Sequence, residues 1–139
     1  MLPLPFRIRW IDTRDDVFPE PLPSHVRPVS TDDAASEAAT APAGALHLVM
    51  THSHALDFDI VRTVLERGNA AYCGLIGSAT KRATFERRLR ARGMDEASIA
   101  RLTCPVGLPH LSGKLPGVIA VSVAAQLLAV VQALKDAQK

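Results

Sequence analysis

The chain has 139 residues, of which 47% are hydrophobic and 22% are charged, and its formal net charge is +2. This length fits one domain with a single core, and the composition is that of an ordinary globular protein, not of a disordered or fibrous one. The small net charge does not indicate nucleic-acid binding, and an aromatic content of 4% offers no stacking platform for bases. Two cysteines are too few for a disulfide framework.

The sequence also bears on where the protein acts. Met1 is followed by prolines and a predicted strand, and not by the charged and apolar regions of a signal peptide. The longest apolar stretch, 118–131, contains Ser122 and Gln126 and is shorter than the roughly 20 residues that span a bilayer. We therefore expect a cytoplasmic protein with neither a membrane nor a nucleic-acid partner.

Strands and helices alternate along the predicted chain. Short apolar or alternating runs predict strands at 6–12, 25–29, 45–51 and 72–76. Helical spacing and capping residues predict helices at 34–41, 57–67, 80–92, 95–102 and 116–134, with Asp57 capping the second. The last helix is apolar almost all round, so it should be buried in the domain or against a partner. This alternation predicts an α/β fold with a mainly parallel sheet.

Polar residues follow three of the predicted strands. Asp12 ends the first strand, His52 and His54 follow the third, and Gly77 and Ser78 follow the fourth. In open parallel sheets, ligands bind outside the carboxyl ends of the strands. The sequence therefore predicts a ligand site at this edge of the sheet.

The segment from Gly77 to Arg82 combines a turn with the start of a helix. Gly77 allows a sharp turn and the close approach of a ligand, and Ser78 is a good N-cap. Lys81 and Arg82 then lie in the first helical turn, where cations oppose the helix dipole. A bound anion would relieve this conflict, whereas the alternative is a solvated basic helix face. The gathering of three strand ends favours the anion site.

The predicted helix 80–92 is strongly basic beyond its first turn. Glu86 is its only acid, and four further arginines follow Arg82: Arg87, Arg88, Arg90 and Arg92. Such a face either attracts anions or is simply well solvated, and the sequence leaves both interpretations open.

Four runs of sequence carry a resemblance to a known family. They are VMTHSHALD at 49–57, GLIGSATKR at 74–82, CPVGL at 104–108 and IAVSVAA at 119–125. With these runs in this order, the chain resembles the C-terminal, Rossmann-like domain of XdhC-type xanthine dehydrogenase accessory factors. The resemblance covers the chain from Phe6 to about Leu134, and it implies a single Rossmann-like domain over 1–139, with a mainly parallel sheet flanked by helices.

The resemblance also implies a function. Proteins of this family bind the molybdenum cofactor, hold it while a cysteine desulfurase-type sulfurase adds the terminal sulfur, and pass it to apo xanthine dehydrogenase. A maturation chaperone without its own turnover is therefore expected, with no catalytic residue and no metal site. Molybdopterin carries a phosphate, which suits the predicted anion site. The expected cofactor-binding residues are Asp12, His52, Gly77, Ser78, Lys81 and Arg82.

One departure from the family pattern affects the expected assembly. A family member would begin this domain with a strand and a glycine-rich G-x-G-H-V-G turn, and this chain starts after both. The fold is therefore expected to lack its first, central strand and the phosphate cradle of that turn, as an N-terminally truncated fragment, a mis-started reading frame or half of a split protein would. The strands at 6–12 and 45–51 would then have unpaired edges, and we expect a symmetric homodimer that uses the helix at 116–134.

Alternative functions remain open at this stage. Asp12 lies where a Rossmann fold places the acid that meets a ribose, which would suit a nucleotide-binding oxidoreductase fragment, although the missing glycine turn opposes it. A metal-dependent hydrolase would use His52 and His54, with Asp57 or His110 as a third ligand. Separately, Cys104 precedes a proline in a loop expected to be exposed, where it would be a structural cysteine, a sulfur carrier or a metal ligand.

Overall fold

The structure is a computed structural model that describes residues 6–107 and 116–137. Over most of these residues the chain alternates strands with helices, as the sequence predicts. The strands are β1 (Ile8–Asp12), β2 (Val26–Ser30), β3 (Leu46–Val49), β4 (Tyr72–Leu75) and β5 (Leu102–Thr103). The helices are α1 (Ala34–Ala39), α2 (His54–Arg67), α3 (Ala79–Ala91), α4 (Glu96–Ile99) and α5 (Pro116–Ala137).

The described strands form two separate parallel sheets. β1 pairs with β2, and β3, β4 and β5 form a three-stranded sheet in that order. Within the described ranges, β1 and β3 therefore each have one edge without a neighbouring strand. The α/β prediction with parallel pairing is confirmed. The sequence analysis did not predict β5, because a strand of two residues is too short to show the alternation of apolar and polar residues.

Serine residues cap the N-termini of two helices that start at the carboxyl ends of strands. Ser53 accepts a hydrogen bond from Leu56 N at the start of α2, and Ser78 accepts one from Lys81 N at the start of α3. The predicted cap at Ser78 is confirmed, whereas the predicted cap at Asp57 is wrong. Asp57 lies inside the first turn of α2 and is 1% exposed. Because α2 starts at His54, and not after Asp57 as predicted, Asp57 lies within the helix, where it is buried and does not cap it.

The core lies between α2, α3 and the three-stranded sheet. β4 is buried along its whole length, as its apolar sequence predicts. The rings of Phe58 on α2 and Phe85 on α3 meet edge to face, with centroids 5.4 Å apart. Such a pair adds about 0.5–1.5 kcal/mol beyond the burial of its surface. The largest fully buried apolar side chains are those of Phe58, Val61, Leu75, Phe85, Leu89 and Ile99.

Helix α1 connects the two sheets. It packs against α2 and also contacts β1. Arg67, at the end of α2, donates hydrogen bonds to the carbonyl oxygens of Ala38 (2.7 Å) and Ala41 (2.9 Å), which satisfies the C-terminal end of α1. Helix α1 also contacts the smaller sheet through an ion pair, in which Arg9 Nη1 of β1 lies 3.5 Å from Glu37 Oε2 of α1. The smaller sheet is thus held to the larger one through this helix.

Helix α5 is joined to the rest of the domain along a narrow strip. Gln126 Oε1 accepts hydrogen bonds from Tyr72 Oη (2.5 Å) and Gly107 N (3.0 Å), and Gln126 Nε2 donates to Gly107 O (2.9 Å). Gly107 has a φ of +96°, and a Cβ there would lie 2.5 Å from Ser122 Oγ, so only glycine fits this approach. The attachment of α5 to the domain therefore depends on a close contact between the loop at Gly107 and the face of the helix that carries Ser122.

Much of the apolar surface of α5 remains exposed. Val121 is 65% exposed, and three further large apolar residues are at least one-third exposed: Val118, Leu128 and Leu134. Burial of this helix within the domain, one of the two alternatives that the sequence left open, is therefore not found in the described part of the chain. The alternative, burial against a partner, stays a prediction.

The length of α5 also changes one sequence-based argument. Residues Gly117–Ala137 form a helix that is long and apolar enough to cross a membrane, and little of it is buried. The apolar segment is longer than the stretch 118–131 read from the sequence, because the helix continues through Gln132 to the apolar residues Ala133 and Leu134. A docking or core helix of a water-soluble protein would pass the same length and composition test. The absence of a membrane partner therefore stays a prediction.

Candidate functional site

Two loops meet at the carboxyl ends of β3 and β4. These strands are parallel neighbours, so the segments that follow them lie at the same edge of the sheet. Thr51 shapes the first loop, because its hydroxyl donates to Ser53 O (2.8 Å) and accepts from Ser53 N (3.1 Å). His52 at the tip of this loop is exposed, as is Ser78 in the second loop. The structure thus brings His52 to the edge that also carries Gly77 and Ser78.

A buried ion pair ties these two loops together. Asp57 Oδ1 accepts a hydrogen bond from Thr51 N (2.8 Å), and Asp57 Oδ2 accepts one from Lys81 Nζ (3.0 Å). Lys81 Nζ also donates to Ile76 O at 2.8 Å. The loop after β3 and the loop after β4 are therefore fixed to each other through one carboxylate and one ammonium group.

Sequence reasoning missed this role of Asp57, although a signal was present. Asp57 precedes Val61 by four residues, so the two lie on the same face of α2. That face is apolar and buried, and an acid within it requires a partner. The identity of the partner could not be read from the pattern, because Lys81 is 24 residues away and on another helix.

Gly77 makes room for Lys81. A Cβ at this position would lie 2.5 Å from Lys81 Cδ, in the middle of the side chain that reaches Asp57. A larger residue at position 77 would displace the Lys81 side chain from the position in which it reaches Asp57. The requirement for glycine in this turn is therefore explained by the packing of the protein's own lysine.

Arg82 also has internal partners. Its Nη1 donates to Cys104 O at 3.1 Å, and its Nε donates to Glu86 Oε1 at 3.3 Å. The two cations in the first turn of α3 are thus stabilised by Asp57, Glu86 and backbone carbonyls. The conflict with the helix dipole, which favoured a bound anion in the sequence, has an explanation within the chain. Anion binding at this turn stays a prediction that these contacts do not require.

Asp12 lies at the end of β1, in the other sheet. Its carboxylate accepts hydrogen bonds from Arg14 N (3.0 Å), Arg14 Nε (3.1 Å) and Arg14 Nη2 (3.2 Å). The hydrogen bond from the Arg14 side chain lowers the pKa of Asp12 below its ordinary value. The carboxylate of Asp12 is therefore already paired with a cation two residues along the chain.

Cys104 is buried, contrary to the expectation of an exposed loop. Its residue exposure is 1%, and its Sγ lies 3.8 Å from Ser78 O. Burial raises the pKa of the Cys104 thiol, and the nearby Lys81 and Arg82 oppose this only in part. Since the thiolate is the reactive form, this environment suits a structural cysteine better than a sulfur carrier.

The metal-dependent hydrolase gains no support from the described residues. Within 6–107 and 116–137, no three His, Cys, Asp or Glu residues gather in a way that could hold a metal ion. Asp57, one suggested ligand, is bound to Lys81. His110, the other, lies outside the described residues.

Comparison with known proteins identifies the family. The sequence model of a family described as the XdhC Rossmann domain matches residues 1–127. The chain belongs to this family. The resemblance and the Rossmann-like fold expected from the sequence are thereby confirmed.

Two relatives place this XdhC Rossmann domain among longer proteins. It is 32% identical over 120 residues to the uncharacterized protein YqeB of Escherichia coli strain K12, covering 83% of this chain and 22% of YqeB. It also superposes, with a TM-score of 0.61 and 25% identity, on a crystal structure described as a xanthine dehydrogenase from Bacillus halodurans. That match covers 77% of this chain and 30% of the other. The chain thus spans less than a third of either relative.

Proposed function

We propose that this XdhC Rossmann domain is an accessory factor in the maturation of a xanthine dehydrogenase. In this role it binds the molybdenum cofactor, keeps it while a cysteine desulfurase-type sulfurase adds the terminal sulfur, and delivers it to the apo-enzyme. The observation that carries the proposal is the family match over residues 1–127. The similarity to a structure described as a xanthine dehydrogenase supports the proposed client.

The edge beyond β3 and β4 is the proposed cofactor site. The first N–H groups of α3 have no partner within the helix, and the Ser78 side chain takes only that of Lys81. These groups suit the phosphate of a pterin. Arg82 is partly exposed and has N–H groups beyond those it uses internally, and His52 is exposed on the adjacent loop. Lys81 would act by positioning the loops and not by direct contact.

A change at Ser78 tests this site without removing the helix cap. Aspartate is as good an N-cap as serine, and its charge suits the helix dipole, so Ser78→Asp should fold normally. Its carboxylate would repel a phosphate at the same place. We expect the purified chain to bind molybdopterin released from a molybdoenzyme, and Ser78→Asp to bind it at least about tenfold more weakly. The pterin retained after gel filtration can be measured by its fluorescence after oxidation.

The matched control places the same charge elsewhere. Ser24 is exposed and precedes β2, so it lies at the amino end of a strand and not beyond a carboxyl end. Ser24→Asp should retain the pterin as the parent chain does. If the parent chain retains no pterin, the proposed function is wrong. If Ser78→Asp retains as much as Ser24→Asp, the cofactor lies elsewhere.

The client enzyme is tested separately. Co-expression of the chain with apo xanthine dehydrogenase and the sulfurase should increase the fraction of enzyme that carries sulfurated cofactor, measured by its activity and by cyanide-releasable sulfur. An unchanged fraction would exclude this client.

A further inference from the structure

Among the described residues, four arginines on or at the end of α2 and α3 have neither an acidic partner nor a side-chain hydrogen bond to a carbonyl. Lys81, Arg82 and Arg90 of α3 each form ion pairs. In residues 6–107 and 116–137, no carboxylate pairs with the remaining cations of this region. These are Arg62 on α2, Arg87 and Arg88 on α3, and Arg92 at the end of α3. Like charges that are not paired with an acid repel one another, so an anionic partner would stabilise them.

Two of these arginines are held on an aromatic ring. Arg88 Cζ lies 3.9 Å from the centroid of the Phe58 ring, and Arg92 Cζ lies 5.3 Å from it. The ring itself is buried and fixed by Phe85. A guanidinium that rests on an aromatic face can still offer N–H groups to a carboxylate. Because the stacking restricts these side chains beforehand, less conformational entropy is lost when a partner binds.

Arg62 extends this cluster along α2. It follows Phe58 by one helical turn, and helical side chains lean toward the N-terminus, so it lies on the α3 side of α2. Arg67 lies on the opposite side, where it binds the carbonyls of α1. Arg62 Nε is buried and, among the residues that the structure describes, has no hydrogen-bond partner. A buried donor without an acceptor is unfavourable, and a change in the conformation of this half-buried side chain would let it reach an acceptor of a docked partner.

We propose that Arg62, Arg88 and Arg92, here called the arginine face, form a docking surface for an acidic segment of a protein partner. Aspartate or glutamate carboxylates of that segment would pair with the guanidinium groups. Arginine is enriched in protein interfaces and frequent among the residues that dominate binding energy. The partner is defined by this chemistry: a surface segment with several carboxylates and few cations.

The location of the arginine face favours a protein over a small anion. Small ligands bind in concave sites, whereas Arg88 is exposed on the outer surface of a helix. A described cavity does lie beside Arg92, but Glu66 and Asp95 also line it, and their charges disfavour an anion there. The arginine face runs along the helices, away from the proposed cofactor site at their N-terminal ends. It therefore does not depend on the proposed function.

Binding of a fluorescently labelled oligoglutamate peptide to the full chain tests this proposal. We expect fluorescence anisotropy at low salt to show binding, and the double variant R88Q/R92Q to weaken it by about tenfold or more. The variant R88K/R92K keeps both charges but loses the planar, stacked groups, so it should weaken binding by a smaller factor. If the loss of both charges impairs folding, R88K/R92K, which keeps them, still allows the contribution of the stacked guanidinium groups to be measured.

The matched control is R27Q, which removes the same charge from an exposed position on β2. It should change the peptide affinity by less than about twofold. Equal weakening by R27Q and R88Q/R92Q would mean general electrostatic attraction and would overturn the proposal. Absence of peptide binding would also overturn it. The proposal would also be overturned if a single-stranded DNA of equal charge bound more tightly than the peptide and if the same variants weakened its binding.

Discussion

At the scale of single residues, the Asp57–Lys81 pair decides how the candidate site is held. Replacing Lys81 by methionine would leave the carboxylate of Asp57 buried without its counter-charge. Removing one partner of a buried ion pair costs about 3–5 kcal/mol, and we expect the free energy of unfolding to fall by that amount. Urea denaturation followed by circular dichroism measures this change. Lys135→Met, at an exposed position on α5, is the matched control and should change stability little.

A second substitution separates charge from packing in this prediction. Asp57→Asn in the Lys81→Met background removes the unpaired charge, while the amide oxygen can still accept from Thr51 N. We expect the double variant to be more stable than Lys81→Met alone. Equal stability of the two would mean that Lys81 contributes through its aliphatic chain and not through its charge.

His47 provides a pH dependence at the same scale. Burial, assisted by the nearby Arg67, lowers the pKa of His47 below its ordinary value of 6.5. The unfolded chain then binds a proton more readily than the folded one, so this residue's contribution to stability is present above about pH 6.5 and is lost as the pH falls below it. His47→Gln should flatten the decline in the free energy of unfolding between pH 7 and 5. Identical declines in both proteins would contradict this explanation.

At the scale of elements, Gln126 anchors α5. Burial raises the pKa of Tyr72 to about 12, so its hydroxyl remains a donor to Gln126 at neutral pH. Gln126→Leu would leave Tyr72 and both backbone groups of Gly107 without this partner. We expect a loss of about 1–3 kcal/mol in unfolding free energy.

A second glutamine on the same helix provides the control. Gln132 is exposed, and its side-chain amide donates a hydrogen bond along α5 to Asp136 Oδ1 at 3.0 Å. Gln132→Leu should leave the unfolding free energy nearly unchanged. If Gln126→Leu is equally neutral, α5 is held by its apolar contacts and not by this network.

At the scale of the whole molecule, apolar surface and free strand edges predict self-association. Ile8 and Trp10 on β1, and Leu48 and Met50 on and beside β3, are exposed near edges that lack a neighbouring strand in the described residues. Val121 on α5 is the most exposed large apolar residue in the part of the chain that the structure describes. Edges and patches of this kind associate. We expect a symmetric dimer through α5 at micromolar concentration, measured by sedimentation velocity.

Charge on α5 provides the test of this dimer. Val121→Lys places an ammonium group on an exposed helical position, so the monomer should remain folded while the dimer weakens. The control is Lys135→Met, which removes a charge from the same helix. A parent chain that sediments as a monomer throughout would show that α5 does not mediate self-association.

The sequence predicted local features of this domain far better than its long-range contacts. Ser78, Gly77 and the apolar β4 have signatures within a few residues, and all three lie where they were expected. The partnership of Asp57 with Lys81 and the burial of Cys104 depend on chain segments 22–26 residues apart. Neither periodicity nor capping rules contain that information. The boundary of α2 was wrong for a related reason, since two residues four positions apart could both cap it.

The link through α1 gives the two sheets unequal resistance to local opening. No residue of β1 or β2 is buried, and the attachment of these strands relies on α1 and on an ion pair, Arg9–Glu37, between side chains that are about one-third exposed. β4, by contrast, is buried throughout. Segments with little buried apolar contact open with small free energies, independently of global unfolding. In native-state hydrogen exchange, amides of β1 and β2 should therefore exchange through a low-energy opening, whereas those of β4 should exchange only when the whole domain unfolds.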